Sequence, residues 1–114
     1  MSAYQRTKGH NWEREVARDL TEMTGIAHRR VLTETRDGNS GDVTATGAFP
    51  FVYQCKCGAK PDIYGAVEEV AKVAGVFYGV AAIHRTGRGG EKLAVLTWDD
   101  WLEIAAVVAR EYKP

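Results

Sequence analysis

The chain is poor in the residues that mark specialised architectures. It has two cysteines and three prolines in 114 residues. Two cysteines cannot build a disulfide framework. On an extended strand Cys55 and Cys57 would hold their Cα atoms about 6.6 Å apart, at the far limit for a bridge, so both are expected to be reduced. There is no excess of either charge, because fifteen basic and fifteen acidic residues cancel. That excludes the global basic signature of a histone-like protein and directs attention to local patches. No apolar run approaches the roughly 20 residues of a membrane span. The polar opening "MSAYQRTKGHNWERE" lacks a signal-peptide core, so a cytoplasmic protein with no membrane partner is expected. Low-complexity tracts and internal repeats are also missing. What is present is a 12.6 kDa chain, 45% hydrophobic and 26% charged, suited to a single domain spanning residues 1–114.

Periodicity orders the elements. Trp12, Val16, Leu20 and Met23, with Ala17 beside them, recur at helical spacing and predict an amphipathic helix from Lys8 to Thr24, stopped at Gly25. "IAHRRVLTE", "DVTAT" and "FPFVYQCKC", separated by the turn-rich "TRDGNSG" and by Gly47, read as an antiparallel three-stranded meander. Asp62 is placed to cap a second helix running to about Gly75, whose Ile63, Ala66, Val67, Val70, Ala71 and Ala74 repeat at threes and fours. "VFYGVAAIH" suits a strand buried on both faces, and "TGRGGE" turns it into "KLAVLT". Thr97, followed by Trp98, Asp99 and Asp100, resembles a capping box opening a last helix to about Tyr112. The order α, three β, α, two β, α gives an α/β domain with a mixed five-stranded sheet flanked by helices.

The chemistry concentrates in "VYQCKCG". Strand alternation puts Tyr53, Cys55 and Cys57 on one face and Gln54 and Lys56 together on the other. "SGDV" presents Asp42 at the start of the preceding strand, after a glycine-containing loop. Glu13 lies on the first helix at the border of its buried stripe. A magnesium-like cation takes hard oxygen ligands, which Asp42, the Gln54 amide oxygen, the Cys55 carbonyl and Glu13 can offer. Lys56 is placed to orient a water or to steady charge developing on a phosphate. A zinc knuckle built on Cys55 and Cys57 would need four ligands, and His10, His28 and His84 are scattered. The two cysteines read instead as small core residues on the face opposite the site.

Taken together, "KGHNWEREVARDL", "SGDV" and "YQCKC", followed by a helix and a two-stranded segment, resemble the PD-(D/E)XK nuclease superfamily, and within it the small Holliday-junction resolvases of archaea and phages. The resemblance covers nearly the whole chain and implies a restriction-endonuclease-like core with one metal-dependent phosphodiesterase site. By it Glu13 matches the acid on the first helix, Asp42 the central aspartate, and Gln54 and Lys56 the final pair. Lys8-Gly9 matches the start of the resolvase pattern. Gly41 stands where proline is usual, and Gln54 where glutamate is usual, leaving two side-chain carboxylates where three are customary. The resemblance implies Mg2+, with Mn2+ as a substitute, a homodimer acting on branched or four-way-junction DNA, and the host cytoplasm if the chain is of phage origin. A nuclease for other branched or damaged DNA is a neighbouring reading. The reading from another class is a catalytically silent DNA-binding or assembly module, motivated by Gln54.

Arg29, Arg30 and Arg36 flank the expected site, and Arg6, Lys8 and Lys60 would extend a phosphate-binding surface; the alternative for each is a solvated strand or helix edge. Residues 1–60 hold nine basic and seven acidic residues against six and eight in the remainder, so basic charge leans toward the half with the site. Glu13 taken alone would read as an exposed helix acid, and Asp42 alone as a turn residue. On the last helix, Trp98, Trp101, Leu102, Ala105, Val108 and Ala109 form an apolar stripe suited to core packing, to a dimer interface, or to both.

Overall fold

The computed structural model describes residues 3–31 and 42–112, with side chains from Thr7 onward. Helix α1 (Ala3–Thr24) is followed by strands β1 (His28–Arg30), β2 (Val43–Ala45) and β3 (Phe51–Gly58), helix α2 (Ile63–Ala74), strand β4 (Tyr78–Arg85), strand β5 (Glu91–Val95) and helix α3 (Trp98–Glu111). The order αβββαββα and the mixed five-stranded sheet are those expected from the sequence. The strands lie in the sequential order β1-β2-β3-β4-β5. β1, β2 and β3 form the antiparallel meander, with Arg30 opposite Val43 and Val43 opposite Tyr53. β3 and β4 run parallel over eight residues, from Phe51 opposite Tyr78 to Gly58 opposite Arg85. A parallel pair needs a crossover, and α2 supplies it.

Each sheet face is covered by one helix. On the first, Trp12, Val16 and Ala17 of α1 bury against Val43, Tyr53, Cys55, Val80 and Ala82. The Trp12 indole N–H also donates to the Ala82 carbonyl at 2.9 Å, fixing α1 to β4. On the second, Ala66 of α2 buries against Ala81 and Ile83, with Ile63, Val67, Leu93 and Val95 around them. Small residues let α2 come close here. A Cβ added to Gly79 would meet Val70 Cγ1 at 2.9 Å and the Val70 carbonyl oxygen at 3.1 Å. The backbones are therefore as near as a missing side chain allows. Asp62 caps α2 by accepting from the Gly65 N–H at 2.9 Å.

Four expectations need correction. α1 begins at Ala3, not Lys8, and its Met23 is 85% exposed. The stripe of α1 that packs on the sheet runs through Trp12, Val16 and Ala17 to Leu20, and Met23 is not part of it. Val76 and Phe77 are outside the buried strand, 96% and 40% exposed. Gly75, at φ 60°, reverses the chain, and the Phe77 N–H bonds back to the Ala74 carbonyl, so β4 starts only at Tyr78. Ala71 of α2 is exposed, because the buried stripe runs through Ala66, Val70 and Ala74. The apolar stripe of α3 is not in the core. No residue of this helix is buried, although Thr97 caps it as expected. Both sheet faces are already taken by α1 and α2.

Closing the space at the helix–sheet contact should be costly. Gly79→Ala is expected to lower the unfolding free energy by about 1–3 kcal/mol in urea titrations, through overpacking against Val70.

Candidate active site at the β2–β3 fork

Asp42 stands where β2 opens and the regular ladder breaks. Its N–H donates to the Tyr53 carbonyl on β3 at 2.8 Å, while its C=O accepts from the Val31 N–H beyond β1 at 2.9 Å. A regular strand residue presents both groups to one neighbour; Asp42 divides them between two. Its carboxylate then reaches into β3, where Oδ2 accepts from the Cys55 N–H at 2.8 Å. Asp42 is 5% exposed, so this carboxylate is held in the fork between the strands. The Cys55 carbonyl points toward the same side as its N–H, by strand geometry.

Gln54 and Lys56 share the face covered by α2, as alternation predicts, while Tyr53 and Cys55 are buried under α1. Both polar side chains converge on Glu69 of α2. Gln54 Nε2 donates to Glu69 Oε2 at 3.0 Å, and Lys56 Nζ pairs with the same oxygen at 3.3 Å. With its nitrogen so engaged, Gln54 presents its amide oxygen as the remaining acceptor. The Lys56 and Glu69 side chains are 35% and 49% exposed, leaving this polar group open to solvent.

Glu13 lies on the other side. It is 8% exposed on α1, and Oε1 accepts from Arg30 Nε at 3.0 Å. Arg30 is opposite Val43, so the pair sits one step along the ladder from Asp42, on the α1 face. Arg30 is thereby committed to a carboxylate, whereas Arg29 and Lys60 are exposed. Lys8 donates to Thr86 Oγ1 at 3.3 Å and lines a cavity of about 270 Å³ with Trp12, Glu15, Cys57 and His84. Arg36 and Gly41 lie outside the described residues, as does the Arg6 side chain.

The Asp42 carboxylate, the Gln54 amide oxygen and the Cys55 carbonyl are oxygens of the hard kind that a divalent cation such as magnesium takes. Among the described residues no three His, Cys, Asp or Glu side chains gather as a metal cluster, and both cysteines are free thiols. Cys55 is buried in the core, and Cys57 is half-buried with its sulfur 3.8 Å from His84 Nδ1. Burial pushes the Cys57 thiol up, Lys8 pulls it down by less, and Glu15 adds a smaller upward push.

Glu69 is the residue at this site that the sequence reading passed over. The available signal was its place beside Val70, on the flank of the α2 stripe that faces the sheet.

A family model described as "Phage putative PDDEXK endonuclease" matches residues 4–73, from α1 through nearly all of α2. No curated protein matches the chain.

Removing the guanidinium takes from buried Glu13 the charge-assisted hydrogen bond that it accepts at 3.0 Å. Arg30→Met is expected to cost about 2–4 kcal/mol of stability in urea unfolding. Because the thiolate is the reactive form, Cys57 should react with iodoacetamide at pH 8 more slowly than free cysteine. Lys8→Met should slow it further, since the lysine is the group that lowers the thiol's pKa; alkylation followed by mass spectrometry reads both.

Proposed function

The chain belongs to the phage PDDEXK endonuclease family, and from that premise we propose that it is a Mg2+-dependent endodeoxyribonuclease acting as a homodimer on four-way-junction DNA. The observation that carries the reading is the Asp42 carboxylate held across the β2–β3 fork beside Gln54 and Lys56. Asp42, the Gln54 amide oxygen and the Cys55 carbonyl would hold the cation, with Glu13 supporting from the α1 face, and Mn2+ would substitute. When bound, such a cation polarises the scissile phosphate and lowers the pKa of an attacking water.

The chain's own groups do the rest. The Cys55 N–H fixes the Asp42 carboxylate in the fork, so that group need not reorganise when phosphate arrives. Lys56 orients the attacking water or steadies charge on the phosphate oxygens. Arg29, Lys60, Lys8, Arg6 and Arg36 supply phosphate contacts, which position the duplex without reading its sequence. Selection then rests on DNA shape and deformability.

A four-way junction asks for two nicks related by symmetry, and a two-fold dimer offers two identical sites. The exposed apolar side chains of α3 favour a second copy of the chain as its partner. Trp98 is 68% exposed, Trp101 46%, Leu102 48% and Val108 59%. Gln54 favours the second reading, a DNA-binding module that binds junctions without cutting them, because a neutral amide attracts a cation less than a carboxylate does.

The test is cleavage of a labelled four-way junction beside a linear duplex of the same sequence, with Mg2+. Paired symmetric nicks in the junction alone are expected, lost in Asp42→Asn and Lys56→Ala. Tight junction binding with no cleavage would overturn the enzyme in favour of the binding module, and a monomer at micromolar concentration would overturn the dimer.

A further inference from the structure

The strand pair that faces the fork offers a neutral amide at Gln54, yet a carboxylate stands over it. Glu69 Oε2 is 3.0 Å from Gln54 Nε2 and 3.3 Å from Lys56 Nζ. Gln54 and Lys56 alternate on one face of β3, and Glu69 spans the step between them from the crossover helix. Its position is fixed by packing. The neighbouring Val70 is 1% exposed and lies against Gly79, where no side chain fits. Ala66, one turn earlier, is fully buried against Ala81 and Ile83.

We propose that Glu69 supplies from α2 the carboxylate that the strand lacks at Gln54, as a ligand for the divalent cation held beside Asp42. The inference rests on the nuclease reading and names a residue of that same site. Three features support it. The Glu69 Oε1 oxygen is not engaged by the two donors that converge on Oε2, and half of the side chain is open to solvent. Hydrogen bonding of Gln54 Nε2 to Glu69 engages the amide nitrogen and leaves the amide oxygen as a second hard donor. A carboxylate at this point also pairs with Lys56 at 3.3 Å, so the lysine and the added ligand are held by one contact. The donor set then becomes two carboxylates, an amide oxygen and a backbone carbonyl, a combination suited to a hard divalent ion. A plain surface ion pair between Glu69 and Lys56 would do none of this, and exposed pairs are worth little by themselves.

The experiment is calorimetric titration of the metal-free protein with Mn2+ alone, for the unaltered chain, Glu69→Gln, the double variant Gln54→Glu with Glu69→Gln, and Glu68→Gln as a control from the same helix. Circular dichroism melting establishes that each is folded. Glu69→Gln is expected to weaken Mn2+ binding by about tenfold or more. The double variant should regain most of it, because a strand carboxylate at residue 54 restores the charge at the same place, and Glu68→Gln should bind as the unaltered chain does. Mn2+ affinity unchanged within twofold in Glu69→Gln would overturn the inference and leave the nuclease reading standing. No Mn2+ binding by the unaltered chain, with Asp42→Asn indistinguishable from it, would overturn both.

Discussion

Among the described residues, the Asp42 side chain bridges β2 and β3 where their pairing ends. Asp42 gives its N–H to one neighbouring strand and its C=O to the other, and its carboxylate takes the Cys55 N–H. The described pairing of β2 with β3 ends at Val43 and Tyr53. Without the carboxylate, the Cys55 N–H would lose the partner that holds it in the buried fork, at the cost of an unmet buried donor. Under the proposed reading, the carboxylate that completes the sheet is also the one that would hold the cation. Structural and chemical demands would then fall on one group.

The two faces of β3 divide the remaining labour. Tyr53 and Cys55 lie under α1 in an apolar layer, and burial there pushes the Tyr53 phenol up to about 12, far from any role near neutrality. The face toward α2 carries Gln54 and Lys56, with Glu69 above them. A sheet one residue out of register would exchange these faces and put the lysine into the dry layer. The long parallel pairing of β3 with β4 holds that register through eight residues.

Much of this could be read from residue order. Period-two alternation put Gln54 and Lys56 on one face because that follows from strand geometry alone, and Asp62 and Thr97 announced their helices because a side-chain oxygen three residues before an orphan N–H needs little context. The split at Asp42 was not legible, since it depends on where β1 and β3 lie. Glu69 was missed for a related reason: in "AVEEV" it looks like a solvated helix acid, and only the crossover places it over β3. The stripe on α3 shows the limit of periodicity. Trp98, Trp101 and Leu102 state that a face is apolar, not which surface covers it, and both sheet faces were already occupied.

The positions of the three tryptophans have an optical consequence. Trp12 is buried with its indole N–H bonded to Ala82, whereas Trp98 and Trp101 are largely exposed on one helix. Intrinsic fluorescence from this chain therefore has two origins. A blue-edge component follows the integrity of the α1–β4 contact, and a red-edge component follows whatever comes to rest on α3. Unfolding and association thus move the emission in opposite directions, and one spectrum distinguishes them without a label.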